Sequence, residues 1–191
     1  MTRVILLAAG AARRFGSDKL LALYHGRPLY RYGLETLAGV CAERSDADLT
    51  VVTNNPRIAA DAAALGARTI PSPQAHLGQS HSIRAGLDAV EPLEEGDFLL
   101  FVVADQPGLR PATIRRFLDV AVPGRWAATA VCGDRVGNPV LFCAALAPAL
   151  RALEGDRGGR KVLNQHPERV LPVPCAEAEL RDIDLPRDLV D

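Results

Sequence analysis

The sequence predicts an α/β fold, a three-layer sandwich in which helices cover both faces of a mostly parallel sheet. Short, continuously apolar runs alternate with amphipathic stretches from one end of the chain to the other. Continuous apolar runs are typical of strands that are buried on both faces, and their alternation with helices indicates right-handed crossovers. The 191 residues are 48% hydrophobic and 24% charged, which predicts a single domain over residues 1–191 with a substantial core.

The apolar runs give six strand candidates. They are residues 3–8, 49–53, 98–104, 127–131, 140–142 and 170–173. Ligands of such sheets bind beyond the carboxyl ends of the strands. The segments that directly follow these runs are therefore where binding residues are expected.

Three helices are predicted between the strands. Pro28 and Pro111 each suit the first position of a helix, where a missing N–H is tolerated. Ser80 or Ser82 suits the N-cap of another helix. Apolar residues recur at helical spacing behind each start. They are Tyr30, Leu34, Leu37 and Cys41, then Ile83, Leu87 and Val90, then Ile114, Phe117, Leu118 and Ala121.

The charge and cysteine content exclude several classes of protein. The net charge of −1 leaves no basic excess, which argues against a nucleic-acid binder or an anionic-membrane binder. No apolar stretch is long enough to span a bilayer, and the first run breaks at Gly10, as expected for a strand and not for a signal peptide. Cys41, Cys132, Cys143 and Cys175 form no CxxC pair, which predicts reduced thiols and a cytoplasmic location.

A glycine-rich loop with three cations follows the first strand. Gly10 and Gly16 let backbone N–H groups approach phosphate oxygens, and Arg13, Arg14 and Lys19 supply positive charge. The spacing excludes a Walker A loop and a dinucleotide fingerprint. A flexible surface loop with solvated cations remains the alternative to a triphosphate-binding loop.

An acidic turn follows the run at residues 98–104. Asp105 lies directly after it, and a carboxylate at the end of a buried strand is a natural ligand for a hard cation. The alternative is an aspartate that only shapes the turn before Pro107.

Two further segments suit anion binding. Ser80 and Ser82 offer hydroxyl and N–H groups at a helix start, with simple N-capping as the alternative. The stretch at residues 155–161 combines glycines with Arg157, Arg160 and Lys161, and its alternative is a solvated basic turn. The four histidines show no pairing with a serine or cysteine nucleophile, so a hydrolase triad has no support.

The loop at residues 7–19 resembles the L-A-A-G-x-S-x-R-F/M-G-x-x-K motif of the MobA-like NTP transferases, especially the molybdenum cofactor cytidylyltransferase branch. Other segments resemble further motifs of that family in the same order. They are residues 78–87, 105–107, 137–142, 155–161 and 181–189. Two positions depart from the family pattern, because Ala12 stands where serine is usual and Asn138 stands where histidine is frequent.

The resemblance implies a Rossmann-like nucleotidyltransferase fold of the glycosyltransferase-A type, and it implies roles for particular residues. The implied catalytic residues are Arg14, Lys19 and Asp105, and the implied metal ligands are Asp105 and Asp184, with Asp182 as the next choice. The implied nucleotide-binding residues are Leu7, Ala8, Ala9, Gly10, Gly16, Lys19, Ser80, Ser82 and Gly86. The implied acceptor-binding residues are Asn138, Asp156 and Arg160. Either Asp182 or Asp184 has an alternative role as a cap of the short helix that Pro186 opens.

The resemblance also implies a reaction and its partners. In it, Mg²⁺ and CTP bind over the first loop, CMP passes to the phosphate of molybdopterin, and pyrophosphate leaves. A molybdenum hydroxylase apo-enzyme is the implied recipient of the product. The guanylyl branch has glycine at the position of Ala9. The methyl group of Ala9 narrows the pocket beside the base, which favours a pyrimidine. Transfer of GMP, another small phosphate as acceptor, and a non-catalytic cofactor carrier remain alternatives.

Overall fold

The computed structural model describes residues 1–10, 15 and 18–189, and a seven-stranded sheet lies at the centre of these residues. Its strands are β1 (Thr2–Leu7), β4 (Ala47–Val52), β5 (Arg68–Ile70), β6 (Phe98–Val103), β7 (Ala127–Cys132), β8 (Arg135–Cys143) and β9 (Val170–Pro174). A separate two-stranded hairpin consists of β2 (Leu23–Tyr24) and β3 (Arg27–Pro28). The α-helices are α1 (Leu29–Ala42), α2 (Pro56–Ala64), α3 (Gln79–Val90), α4 (Pro111–Asp119), α5 (Ala147–Arg151) and α6 (Arg160–Leu163).

The sheet is mostly parallel and its strand order reverses next to β1. The order is β5-β4-β1-β6-β8-β7-β9, and only β8 runs antiparallel to its neighbours within this sheet. The chain first moves outward from β1 through β4 to β5 and then returns to the other side of β1 as β6. The crevice at such a reversal, beyond the carboxyl ends of the strands, is the usual ligand site of an open α/β sheet.

The two faces of the sheet are covered by different helices, as the three-layer prediction requires. In β1, Val4 and Leu6 pack into one core and Ile5 and Leu7 into the other, because successive side chains of a strand point to opposite faces. Buried residues of α1, α2 and α4 belong to the first core, and those of α3, α5 and α6 belong to the second. The predicted fold class is therefore confirmed. Within the described ranges, no helix has both the length and the apolar content needed to cross a bilayer.

Several elements were not predicted from the sequence, namely β2, β3, α2, β5 and α5. The buried side of α2 consists of Ile58 and Ala62, so its apolar stripe is too small to stand out in an alanine-rich segment. Its start has a clear local cause, because the side chain of Asn55 accepts hydrogen bonds from the N–H groups of Arg57 and Ile58.

The predicted serine cap of α3 is wrong, because the helix begins at Gln79 and its N-cap residue is Gly78. Gly78 adopts a φ of 130°, and a Cβ added there would lie 2.2 Å from the carbonyl carbon of Gly155. A serine therefore has neither the backbone freedom nor the space to occupy this cap. Ser80 and Ser82 instead lie buried in the first turns of the helix.

Gly86 packs α3 closely against the sheet, which allows a matched stability test. A Cβ added at Gly86 would lie 2.7 Å from Ile5 Cγ2, whereas a Cβ added at Gly39, on the exposed side of α1, meets nothing within 4 Å. We expect Gly86→Ala to lower the free energy of unfolding by about 1–3 kcal/mol through overpacking. We expect Gly39→Ala to raise it by about 0.5–1 kcal/mol through helix propensity. Urea unfolding of both variants checks this, and equal shifts would contradict the close packing of α3.

Candidate functional site

Two neighbouring cavities open at the reversal of the strand order. The first has a volume of about 380 Å³ and is lined by Leu7, Gly10, Phe15, Lys19, Leu20, Ala75, His76, Gln79, Ser82, Val103, Ala104, Asp105, Asp156 and Asp184. The second has a volume of about 330 Å³. Leu7 and Gln79 line both cavities, so the two spaces share a wall at the end of β1 and the start of α3.

An ion-pair cluster of one lysine and two aspartates lies in the first cavity. Lys19 Nζ donates to Asp105 Oδ2 at 2.7 Å and to Asp184 Oδ1 at 3.2 Å. The Lys19 side chain is 13% exposed and that of Asp105 is 24% exposed, whereas Asp184 reaches the open side of the cavity at 64%. The structure thus brings together three residues that the sequence analysis assigned to phosphate and metal binding.

Local structure fixes each member of this cluster. Lys19 opens a short 3₁₀ helix whose start is capped by Asp18, which accepts from the N–H of Leu20 at 3.2 Å. Asp105 comes two residues after β6, and its carbonyl oxygen accepts from the N–H of Ile183 at 3.0 Å. That backbone bond draws the C-terminal segment, and Asp184 with it, to the end of β6.

The pKa of Lys19 is raised above its ordinary value. Partial burial of the ammonium group opposes this shift, but the charges and hydrogen bonds of Asp105 and Asp184 outweigh it. Lys19 therefore stays protonated throughout the neutral range, as a group that neutralises phosphate charge must.

The cap of the short C-terminal helix comes from Asp188 and not from the two aspartates before it. Asp188 Oδ2 accepts from the N–H groups of Asp184 and Leu185 at 3.0 and 2.8 Å, and these bonds hold its pKa below the ordinary value. The carboxylate of Asp184 faces Lys19, and that of Asp182 accepts from Gln106. The side chains of Asp182 and Asp184 thus accept hydrogen bonds from residues of the cavity walls.

The donor set of the first cavity suits a divalent cation that arrives with phosphate. Asp105 Oδ1 is buried and has no hydrogen-bond partner among the described residues. Within the same residues, no group of three or more His, Cys, Asp or Glu side chains is placed to hold a metal alone. Mg²⁺ commonly takes one or two carboxylates and completes its shell with water and substrate phosphates. Asp105 and Asp184 fit that pattern.

The second cavity has an apolar floor and a polar end. Apolar side chains of the sheet, of α3 and of the segments around them line the floor. They are Leu7, Ile83, Phe101, Val136, Val140, Phe142, Leu163 and Leu180. Gln106 and Asp182 lie in the wall, and Gln106 Nε2 donates to Asp182 Oδ1 at 2.8 Å. Such a combination of apolar body and few polar groups is typical of a small-molecule site.

The electrostatics of this polar end differ from those of the lysine cluster. The pKa of Asp182 is raised, first because its carboxyl group is withdrawn from water and second because the charge of Asp105 lies nearby. The hydrogen bond from Gln106 and the more distant Lys19 oppose the shift without cancelling it. Asp182 therefore takes up a proton more readily than an ordinary aspartate does.

Close contacts at glycines position the loop between the cavities. The N–H of Ser80 donates to the carbonyl oxygen of Gly155 at 3.1 Å, beside the tight approach of Gly78. A Cβ added at Gly158 would lie 2.5 Å from Gln79 Oε1. Gly155 and Gly158 thus serve close packing on the start of α3, and Gly159 packs closely on Phe142. These glycines do not form a long helix terminus for an anion, since α6 has only four residues.

The structure divides the predicted site residues between the two cavities. Leu7, Gly10, Lys19, Ser82, Asp105, Asp156 and Asp184 line the first, and Leu7, Asn138 and Arg160 line the second. Asp156 is thereby separated from Asn138 and Arg160, with which it was grouped as an acceptor contact. Arg14 and Gly16 lie outside the described residues, and their predicted roles stay predictions.

Four of the predicted nucleotide-binding residues line neither cavity. Ala8 and Ala9 follow β1, Ser80 is fully buried, and Gly86 packs on Ile5. Residues that the sequence analysis missed include Phe15, Gln79 and the side chain of Gln106. They lie in the cavity walls, yet no charge or glycine pattern marks them in the sequence.

Comparison with known proteins agrees with this geometry. Residues 4–170 match a family model described as the MobA-like NTP transferase domain. Nicotine blue oxidoreductase of Paenarthrobacter nicotinovorans is 33% identical over 190 residues, which cover 94% of this chain and 90% of that protein. The family match contains most of β1, all of α3 and β6, and the residues Lys19 and Asp105, whereas Asp184 lies beyond its end.

Solved structures share the fold over almost the whole chain. Rv0371c of Mycobacterium tuberculosis H37Rv is 25% identical with a TM-score of 0.77, covering 98% of this chain and 94% of that one. The same protein has been solved in complex with manganese, with 24% identity, a TM-score of 0.71 and the same coverage. Molybdopterin-guanine dinucleotide biosynthesis protein A of Archaeoglobus fulgidus is 18% identical with a TM-score of 0.65, covering 98% and 94% of the two chains.

The raised pKa of Asp182 predicts a pH-dependent gain in stability on its removal. The folded state holds this proton to a higher pH than the unfolded chain does, so stability falls as the pH rises above about 3.9, the ordinary aspartate pKa. Asp182→Asn keeps an oxygen that accepts from Gln106 but carries no charge. We therefore expect a higher urea midpoint at about pH 7 and no gain near pH 3.

The exposed Asp134, which lines neither cavity, supplies the control for this prediction. Asp134→Asn removes one carboxylate that does not contact Gln106. It should leave the pH dependence of the urea midpoint unchanged. If Asp182→Asn raised the urea midpoint equally at both pH values, the electrostatic origin of the effect would be contradicted.

Proposed function

Because the chain belongs to the MobA-like NTP transferase family, we propose that it transfers CMP from CTP to the phosphate of molybdopterin and releases pyrophosphate. The observation that carries this proposal is the placement of Lys19 against Asp105 and Asp184 at the carboxyl ends of β1 and β6. One cation and two carboxylates in a cavity of this size suit a nucleoside triphosphate with its metal. The resemblance of residues 7–19 to the cytidylyl branch supports CTP as the donor.

The proposed reaction is a single displacement at the α-phosphorus of CTP. An oxygen of the acceptor phosphate forms a bond to that phosphorus, and the bond from phosphorus to the oxygen bridging the β-phosphate breaks. The bonding electrons leave with pyrophosphate. A phosphate monoester is already an anionic nucleophile, so the protein has to align the reactants and neutralise charge, and a strong base is not needed.

Lys19 is the described residue best suited to neutralise the phosphates. Its ammonium group is held by two carboxylates and keeps its charge because its pKa is raised. A phosphate oxygen that approaches the open side of the cluster, where Asp184 is exposed, can accept from the same ammonium group. We assign Lys19 to the α-phosphate and Arg14 to the remaining charge of the triphosphate.

Asp105 and Asp184 are the proposed ligands of Mg²⁺. A divalent cation bound there would neutralise charge on the phosphates and on the departing pyrophosphate. Oδ1 of Asp105 is buried and has no hydrogen-bond partner among the described residues, which supports this assignment. The manganese complex of Rv0371c makes Mn²⁺ the second metal to test.

The two cavities suggest separate places for the two substrates. We assign the nucleotide to the first cavity and the acceptor to the second, so that their reacting groups meet at the shared wall of Leu7 and Gln79. Arg160 and Asn138 line the second cavity, where a guanidinium and an amide suit a phosphorylated acceptor. Asp156 lines the first cavity, so we assign it to the nucleotide side.

An oxidoreductase is the second candidate, because the relative with 33% identity bears that name. The described site holds charged side chains that suit phosphate and metal, which favours nucleotidyl transfer. An assay of dye reduction with a reduced nicotinamide nucleotide, run on the same preparation, separates the two classes.

The proposal is tested by pyrophosphate release with Mg²⁺, molybdopterin and each of the four common NTPs. We expect release with CTP that requires molybdopterin, and a fall in kcat of about 100-fold or more in Asp105→Asn. Asp134→Asn, outside both cavities, should keep the activity. Thermal unfolding shows that both variants are folded.

The other outcomes assign the protein elsewhere. Release with GTP alone would keep the reaction class and overturn the choice of base. Absence of release with all four NTPs, together with molybdopterin binding, would indicate a cofactor carrier. If no pyrophosphate is released but the dye is reduced, the chain would belong with the oxidoreductases.

The methyl group of Ala9 gives a separate test of the base preference. Ala9 is partly buried and packs on the core of the second face, directly after β1. Ala9→Gly removes the methyl group beside Gly10, which lines the first cavity. We expect the ratio of kcat/KM for GTP over CTP to rise about tenfold, and an unchanged ratio would show that Ala9 does not select the base.

A further inference from the structure

The ends of β7 and β9 place two cysteines opposite each other. These strands pair in parallel without a shift of register, as far as Val131 opposite Pro174. Cys132 and Cys175 are the next residues of the two segments, so they face each other at the following step. The N–H of Cys175 donates to the carbonyl oxygen of Val131 at 2.9 Å, as the parallel pattern requires of a residue paired with Cys132.

Both cysteine side chains lie on the same face of the sheet. In β7, Ala128 and Ala130 belong to the core that α1, α2 and α4 cover, and Cys132 packs against that core. In the neighbouring segment Val173 belongs to the same core, and Cys175 packs against it. Residues two apart in a strand share a face. The two thiols therefore extend side by side from adjacent strands.

The geometry of this pair suits a disulfide bond. Neighbouring strands lie about 4.7–4.9 Å apart, and the Cα atoms of bridged cysteines lie about 4.4–6.8 Å apart. Cys175 Sγ donates to the carbonyl oxygen of Val131 at 3.5 Å, which places this sulfur against β7 at the residue before Cys132. Gly133, with a φ of 56°, turns the chain directly after β7, so the pair lies where regular pairing ends.

The other two cysteines have no such arrangement. All four are free and half-buried. Cys41 lies on α1, and Cys143 lies opposite Phe98 of β6, so neither faces a second cysteine across a strand pair. Burial raises the pKa of Cys41 to about 11, which keeps that thiol protonated and unreactive.

We propose that Cys132 and Cys175 form a redox site that reacts with low-molecular-weight disulfides and closes reversibly to an intramolecular disulfide. The thiolate of Cys132 attacks one sulfur of the small disulfide, forms a mixed disulfide and releases one small thiolate. The thiolate of Cys175 then attacks the sulfur of Cys132 and releases the second. The two cysteines lose two electrons, the small disulfide gains them, and the two cysteine protons pass to the released thiolates.

The surroundings of Cys175 assign it to the second step. Burial of its thiol, and next the negative charge of Glu179, raise its pKa, and the positive charge of Arg116 opposes this shift without cancelling it. Cys175 is thus a weak nucleophile toward a molecule in solution. Once Cys132 carries the mixed disulfide, the attack is intramolecular, and proximity offsets the small thiolate fraction.

The bond would fasten the segment that supplies two aspartates to the first and second cavities. Cys175 lies where the chain leaves β9 toward Asp182 and Asp184. That segment already contacts the end of β6 through the N–H of Ile183, which donates to the carbonyl oxygen of Asp105. A disulfide would add a covalent link to β7 at its start, and the closed loop would disfavour the unfolded chain.

The test counts free thiols after the full chain is incubated with an excess of glutathione disulfide. Acid stops the exchange, N-ethylmaleimide then labels the remaining thiols of the denatured chain, and mass spectrometry counts the labels. We expect two labels in place of the four of the reduced chain, and a peptide map that joins Cys132 to Cys175. Treatment with dithiothreitol should restore all four.

Single variants test the pair and the order of its two steps. Neither Cys132→Ala nor Cys175→Ala should form an intramolecular disulfide. Cys175→Ala should retain glutathione on Cys132, because the second thiol is missing, and Cys132→Ala should retain less. Cys41→Ala and Cys143→Ala are the matched controls and should still close the bond.

Thermal unfolding gives a second measurement. We expect oxidation to raise the unfolding midpoint of the unmodified chain and of Cys143→Ala by about 4 °C or more, and to leave that of Cys132→Ala unchanged. Four labels after oxidation, a disulfide between any other pair, a covalent dimer, or closure in Cys132→Ala would overturn the inference. The measurements contain neither nucleotide nor metal, so their outcome is independent of the proposed reaction.

Discussion

The parallel pairing of β1 with β6 is the constraint on which the site depends. The two strands run in register from Thr2 opposite Phe98 to Leu7 opposite Val103, so they end at the same height. The loop after β1 and the turn after β6 therefore leave the sheet side by side, and the strand order reverses at this pair. If the two strands ended at different heights, the separate loops that position Lys19 and Asp105 would not bring these two side chains together.

The two faces of the sheet give the two cavities their different chemistry. The first cavity lies over the end of β1, where carboxylates and an ammonium group balance each other. The second lies on the face covered by α3, α5 and α6, where aromatic and aliphatic side chains form its floor. Gln79 and Leu7 line both, so a charged cluster and a mainly apolar surface share one wall.

The fold was predictable because its signals are local and strong. Continuous apolar runs located β1, β4, β6, β7 and β9 within about two residues, whereas β8 begins at Arg135, ahead of its run at residues 140–142. The glycine-rich loop and Asp105 were placed at strand ends by the rule for parallel sheets. The cap of α3 was mistaken because a tertiary contact, the approach of Gly155 to Gly78, decides it. Gln106 escaped notice for a similar reason, since its partner Asp182 is 76 residues away and no sequence pattern connects them.

The lysine cluster joins residues that are far apart in the chain. Lys19 is 86 residues from Asp105 and 165 residues from Asp184, so its two contacts close long loops and carry a large entropic cost. A chain that has folded only in part does not hold the cluster, so a ligand that binds at the cluster would bind only the completed molecule. Ligand binding would then stabilise the native chain and would not stabilise incompletely folded forms.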